Sequence, residues 1–184
     1  MTIPKNFLFS QKCSRHFTYM DFLGCSDTFK ANDCINFPQQ LATLKSMEML
    51  ATEILDNVFD EFGQLKLTYG FCSENLRKLI KKNIYPPLDQ HAGHEIKKNG
   101  KHICERLGFA ADFNVPDVSS LHVARFIVSN LAFDRLYYYG NTKPIHVSLN
   151  EQPINSVVLM AEHANRRVPK NITKERFLTD EIDF

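Results

Sequence analysis

The chain has 184 residues, 43% hydrophobic and 23% charged, a composition that suits a folded globular protein and excludes long disorder or a fibrous repeat. At this length one domain buries about two thirds of the surface its unfolded chain would expose, so neither staples nor a second domain is needed. A formal net charge of +1 supplies no general pull toward nucleic acid or an acidic membrane, although Lys97, Lys98 and Lys101 form a local basic group.

The opening stretch MTIPKNFLFSQKCSRHF lacks a basic leader followed by an apolar run and a cleavage site, and no segment reaches the length of a membrane span. The expectation is a soluble, cytoplasmic chain. Cys13, Cys25, Cys34, Cys72 and Cys104 are odd in number, and none are in C-x-x-C spacing. Reduced, mostly buried thiols are expected, with a Cys25–Cys34 bridge as the alternative outside a cell.

Residues 1–40 are turn-rich and read as an adaptor wrapped on the core. From Thr43 to Phe62 the apolar residues Leu44, Met47, Ala51, Ile54, Leu55, Val58, Phe59 and Phe62 recur at three and four. That spacing predicts one buried helical face, with Gly63 as its stop. LKLTYGF (65–71) alternates as a strand, and SENLRKLIKK (73–82) has a serine cap and the apolar pair of a short helix. NIYPPLDQHAGHEIKKNGKH (83–102) breaks regular structure, and loops of that length are often functional.

GFAADFNV (108–115) reads as a strand and VSSLHVARFIVSNL (118–131) as a helix with Leu121, Ala124, Ile127, Val128 and Leu131 inward. DRLYYYG (134–140) and PIHVSLN (144–150) are two more strands, and HANRRVPKNITKERFLTDEIDF (163–184) is a polar tail or short helix. These segments predict an α+β domain, a small antiparallel or mixed sheet with helices on one side. It is a single domain over 1–184 with its core at about 16–149.

Four blocks in this order resemble the zinc D-alanyl-D-alanine carboxypeptidase family, whose domain shares its fold with the Hedgehog signalling domain. HFTYMDFLGCSDTFKANDCINFP (16–38) is similar to the family's opening F-T-x-x-E-L-x-x-S-x-T and N-x-P. SMEMLATEILDNVFDEFGQLKLTYGFCSENL (46–76) is similar to its helix, glycine, strand and S-G-Y-R-S turn. ERLGFAADF (105–113) nearly spells the zinc signature S-x-H-x-x-G-x-A-x-D, and IHVS (145–148) resembles the strand that carries the last ligand.

The resemblance implies zinc, or another divalent metal, held by Asp112 and His146, with Glu105 standing where the signature has histidine. Three protein ligands and an open position are what zinc hydrolysis needs. Two carboxylates would harden the site and admit manganese or iron. The alternative for Glu105 is a solvent-facing residue or an ion pair with Arg106 or a lysine. The family's general base position is Lys143, which is protonated near neutral pH, and its carboxylate-binding arginine is Cys72.

DQHAGHE (89–95) supplies replacements: His91 and His94 as further metal ligands, and Glu95 or Asp89 as an alternative base. A polar loop of backbone-bonded histidines is the competing reading. Tyr139, Lys143 and Arg106 are the candidate substrate contacts. Two functions follow from these residues. One is a metal-dependent hydrolase with a rearranged site, acting on a peptide-like or other amide or ester substrate. The other is an inactive peptidase-fold module that binds a partner or small ligand. The lack of a leader leaves a cell-wall substrate open, because phage lytic enzymes reach the wall through lysis.

Overall fold

A computed structural model describes residues 2–80, 89–163, 166–179 and 182. The Tyr-Pro-Pro of the predicted loop, residues 85–87, and the last two residues lie outside the described residues.

The long apolar stripe becomes α3 (Leu41–Leu50) and α4 (Asp56–Phe62), joined by one wider π turn at Ala51–Leu55. Leu44, Met47, Ala51, Ile54, Leu55 and Val58 are buried, and Gly63 ends the helix with a positive φ of 83° and its N–H on Phe59 O. Each of the larger side chains, Leu, Met, Ile or Val, contributes about 1.5–3 kcal/mol when taken from water. Before them, α1 (Tyr19–Gly24) carries a complete capping box at Thr18 and Asp21, and α2 (Asp27–Lys30) is capped by Ser26. The amide of Asn36 donates to Leu23 O and Phe71 O, and its carbonyl accepts from Ser73 N. These bonds tie the N-terminal segment to the core.

Six strands follow: β1 (Lys66–Tyr69), β2 (Phe109–Asn114), β3 (Arg135–Tyr138), β4 (Ile145–Leu149), β5 (Ser156–His163) and β6 (Arg166–Ile172). They form one mixed sheet in the order β1-β2-β4-β3-β5-β6, in which β3 and β5 are parallel and the other neighbours antiparallel. The fold is therefore α+β. Helices α5 (Glu74–Leu79), α6 (Ser120–Asn130) and α7 (Lys174–Thr179) complete it, with Ser73 and Ser119 capping α5 and α6.

The core extends past residue 149, where the sequence reading ended it: Val157, Val158, Met160 and Phe177 are buried. The polar stretch after His163 is an edge strand and helix rather than a tail. Its polarity reflects the edge position, because residues 167–171 of β6 are exposed and Ile172 is half-buried.

Strand alternation divides the sheet into two faces. Ala111, Phe113, Ile145, Val147, Leu136 and Tyr138 join the helices in the main core. On the opposite face the register lines up Asp112, His146, Tyr137 and Val158 across β2, β4, β3 and β5. Tyr137, Val158 and Met160 form a separate small cluster there, with Tyr139 against it. None of the five cysteines is in a disulfide, and no helix among the described residues is long and apolar enough to cross a membrane.

Candidate metal centre

Asp112 and His146 are register partners on β2 and β4, so alternation points both side chains to the same face. Asp112 Oδ1 lies 2.8 Å from His146 Nδ1 and 3.2 Å from His91 Nε2. One ligand atom from each of the three residues falls within 4.8 Å of the others. Zinc bonds of about 2.0–2.2 Å in a tetrahedron put ligand atoms roughly 3.3 Å apart, so these three residues could hold a metal ion.

His91 arrives from a 3₁₀ turn, Gln90–Ala92, capped by Asp89, whose Oδ1 accepts from His91 N at 2.9 Å. His91 Nδ1 donates to Gly70 O at 2.8 Å. That bond fixes the tautomer and turns the Nε2 lone pair toward Asp112, the outer-shell support that ligating histidines generally have. A side chain at Gly70 would collide with the Phe22 carbonyl, so only glycine lets this strand end sit where its own carbonyl meets His91.

A neutral His91 would thus aim a lone pair at a carboxylate oxygen, and that contact calls for a cation. Burial opposes charge on His91, but Asp89 and Asp112 outweigh it and push its pKa up to about 9. Burial likewise opposes a charged Asp112, and His91 and His146 reverse it, holding the carboxyl well below the usual range. His146 Nε2 is buried with no hydrogen-bond partner among the described residues. A metal in place of the shared protons fits this donor set, two imidazole nitrogens and one carboxylate oxygen.

The rings of Tyr69 and Tyr137 wall the cluster, 4.4 Å from His91 and 5.0 Å from His146 by centroid. The histidine side chains are 3% and 4% exposed and that of Asp112 28%, so the site opens on the carboxylate side. Asp89 lies beside it, with Oδ1 3.9 Å from His91 Nε2 and Oδ2 buried without a partner among the described residues.

Three of the five candidate ligands therefore come together, and Glu105 and His94 do not. Glu105 is exposed, outside the cluster. His94 Nε2 accepts from Gly108 N at 3.2 Å and sits 2.9 Å from Ser46 Oγ. Glu95 is buried and accepts from Gln39 N, Gln40 N and Thr43 Oγ1, which commits its carboxylate to holding α3 and the preceding loop. Of the two base candidates only Asp89 adjoins the cluster.

The candidate substrate contacts scatter. Arg106 Nε points at the buried carboxylate of Asp134 at 3.5 Å. Lys143 is exposed in the turn between β3 and β4. Tyr139 is half-buried on the site's face, with the Arg167 guanidinium 5.1 Å over its ring. Burial pushes the Cys72 thiol up to about 11, leaving it uncharged near neutral pH. Sequence reasoning missed the Gly70 carbonyl and the Tyr69 ring, for which the one available signal was a Tyr-Gly pair ending a strand. Comparison with protein-family models, curated proteins and solved structures found no match to this chain.

Proposed function

We propose that this chain is a divergent member of the zinc carboxypeptidase fold family and a metal-dependent hydrolase, acting on a peptide-like or other amide or ester substrate. The observation that carries the reading is the single oxygen, Asp112 Oδ1, within 3.2 Å of two imidazole nitrogens, one of them oriented by a backbone carbonyl. The sequence supports it in a second way. Asp-Gln-His at 89–91 and Gly-Phe-Ala-Ala-Asp at 108–112 together resemble H-x-x-G-x-A-x-D with the histidine and glycine 17 positions apart instead of three. Residues 92–107 then contain an insertion inside the signature, and His91 rather than Glu105 is its histidine.

His91, Asp112 and His146 would hold the metal. Zinc bound by such a set supplies Lewis acidity and lowers the pKa of water. Asp89 receives the proton at Oδ2, the oxygen that has no partner among the described residues. Gly70 O keeps His91 in its ligating tautomer, and the Tyr69 and Tyr137 rings exclude bulk water from the histidines. Cysteines outside any disulfide fit a reducing, cytoplasmic setting.

A binding module without turnover is the second reading, favoured by an exposed lysine at 143 and an uncharged, buried thiol at 72. Calorimetric titration of metal-free protein with zinc should show one site per chain. A panel of N-acyl peptides and esters should then be hydrolysed in a manner that chelator abolishes and zinc restores. Absence of zinc binding overturns both the metal and the hydrolase. Tight binding with no turnover on the panel selects the binding module.

A further inference from the structure

We propose that the N-terminal segment and the hairpin at 96–102 form a docking surface for an anionic lipid bilayer, with apolar tips that enter the membrane and lysines that meet its headgroups. The inference goes beyond the hydrolase reading and does not depend on it.

Apolar residues reach the surface here from four separate stretches of chain. Leu8, Met20, Ile35, Phe37 and Ile96 are 41–68% exposed, and they are five of the eight large apolar side chains exposed among the described residues. Local contacts bring them together. Met20 N donates to Phe9 O at 2.8 Å, next to Leu8, and the Phe9 ring lies 5.0 Å from that of Phe37. Two residues further on, Gln39 N donates to both carboxylate oxygens of Glu95 at 3.1 Å, which sets Ile96 beside the same segment. Apolar surface gathered in this way marks a contact with a protein or a membrane.

Charge and shape decide between the two. Lys97 N donates to Lys101 O at 2.8 Å and Gly100 N to Lys97 O at 2.9 Å, and an Ile96–His102 bridge closes the hairpin. Lys97 and Lys101 are thus held across from one another, where like charges repel. Together with Lys98 they are exposed, and none of the three makes an ion pair among the described residues. The neighbouring acids do not relieve them. Glu95 is spent on Gln40 N and the Thr43 hydroxyl as well as Gln39, and Asp21 caps α1 through Thr18. Glu105 is one exposed negative charge three residues past the hairpin, and Asp33 lies six residues before Gln39, up to about 20 Å away along the segment. An anionic surface lowers this repulsion. Leu8, Ile35 and Phe37 lie in loops and Ile96 at the hairpin base, so a rigid partner would need a matching hole for each, whereas a fluid bilayer conforms to separate tips. Asn36 ties this segment to Phe71 and Ser73, and Cys72 N donates to His91 O, so the surface is continuous with the loop that carries His91.

The test uses the full chain in chelator and sedimentation with vesicles of neutral phosphatidylcholine or of an equal mixture with anionic phosphatidylglycerol. The wild type should partition onto the mixed vesicles roughly tenfold or more above the neutral ones, and less as salt rises. Reversing the three lysines together (K97E, K98E, K101E) should remove that preference. Ile96→Ser and Phe37→Ser should each weaken binding to mixed vesicles about threefold or more. Val168→Ser, at a comparably exposed apolar residue on β6, should leave it unchanged. Melting curves confirm folded variants, and Ile96→Ser carries the apolar arm if Phe37→Ser, which loses its contact with Phe9, fails to fold. No binding to either vesicle, equal binding to both, or an anionic preference that survives lysine reversal overturns the surface. So does binding that the serine variants leave unchanged, since that is adsorption by charge alone. The assay holds no free metal, so its outcome is separate from that of the metal reading.

Discussion

Asp112 on β2 and His146 on β4 are direct register partners whose side chains meet at 2.8 Å, and His91 closes on the same carboxylate oxygen from a loop. Backbone pairing fixes the first contact, and the Gly70 carbonyl fixes the second.

Removing His91 should be far costlier to metal binding than removing Glu105. His91→Ala deletes one of the three proposed ligands and should weaken zinc at least 100-fold, whereas Glu105→Ala, at an exposed position, should change it less than twofold. Competition against a fluorescent chelator measures both. Comparable losses would return Glu105 to the ligand set.

The two acidic residues of the histidine-rich loop should separate by phenotype. Asp89→Asn should lower turnover on any cleaved substrate by about 10²- to 10⁴-fold while the chain still binds zinc. Glu95→Gln should instead lower the melting temperature, because Glu95 accepts two backbone N–H groups and the Thr43 hydroxyl. The reverse pattern would reassign the base.

Metal-free protein should lose stability with rising pH. His91 is raised from 6.5 to about 9 in the fold, so its contribution is fully present below pH 6.5 and disappears as pH climbs through 9. For a buried group the effect is on the order of 3 kcal/mol. Asp112 is shifted the opposite way, so its contribution is lost only in acid, as pH falls below the ordinary carboxylate range. Zinc competes with the His91 proton, so apparent affinity should rise with pH up to about 9. Thermal melts in chelator from pH 6 to 10, compared with His91→Gln, read the first effect. A flat profile in the wild type would show that His91 is not protonated in the metal-free fold.

Gly108 should tolerate replacement poorly. Its φ is +77°, and an added Cβ would meet the Leu149 carbonyl and, at 2.9 Å, Asn150 Cα, all on backbone that cannot swing aside. Gly108→Val should therefore cost about 3 kcal/mol or more and disturb the start of β2, which carries Asp112. Cys104→Ala, a small truncation of a buried side chain, should cost about 1 kcal/mol and leave zinc affinity intact. Equal denaturation midpoints for the two variants would remove the steric argument.

Efficient release of D-alanine from a wall pentapeptide is not expected. Lys143 stands where the family's base would be, and the Cys72 thiol offers no charge to a terminal carboxylate. Robust, chelator-sensitive release by the zinc-loaded wild type would show that Asp89 serves a D-alanyl-D-alanine end after all.

Sequence alone determined the parts that depend on local periodicity. The stripe from Leu44 to Phe62 demands one buried helical face, and Asp112 and His146 interrupt otherwise apolar strands, so alternation alone turns both away from the core. It also marked His91 and Asp89 as candidates without ranking them. Local spacing favoured Glu105 as a ligand, because it stands three residues before Gly108. Tertiary structure decided otherwise. Residues 92–107 are anchored away from the cluster by Glu95 on Gln39, Gln40 and Thr43 and by His94 on Ser46 and Gly108, which leaves Glu105 at the surface. The same anchoring lets His91 return to the strand end at Gly70, 21 positions earlier in the chain. β6 escaped reading because its exposed, polar residues carry little apolar periodicity, and β5 holds a short apolar run, residues 157–161, that periodicity alone assigns to neither strand nor helix. Its strand character comes from pairing with β3, a contact between distant segments that no local pattern records.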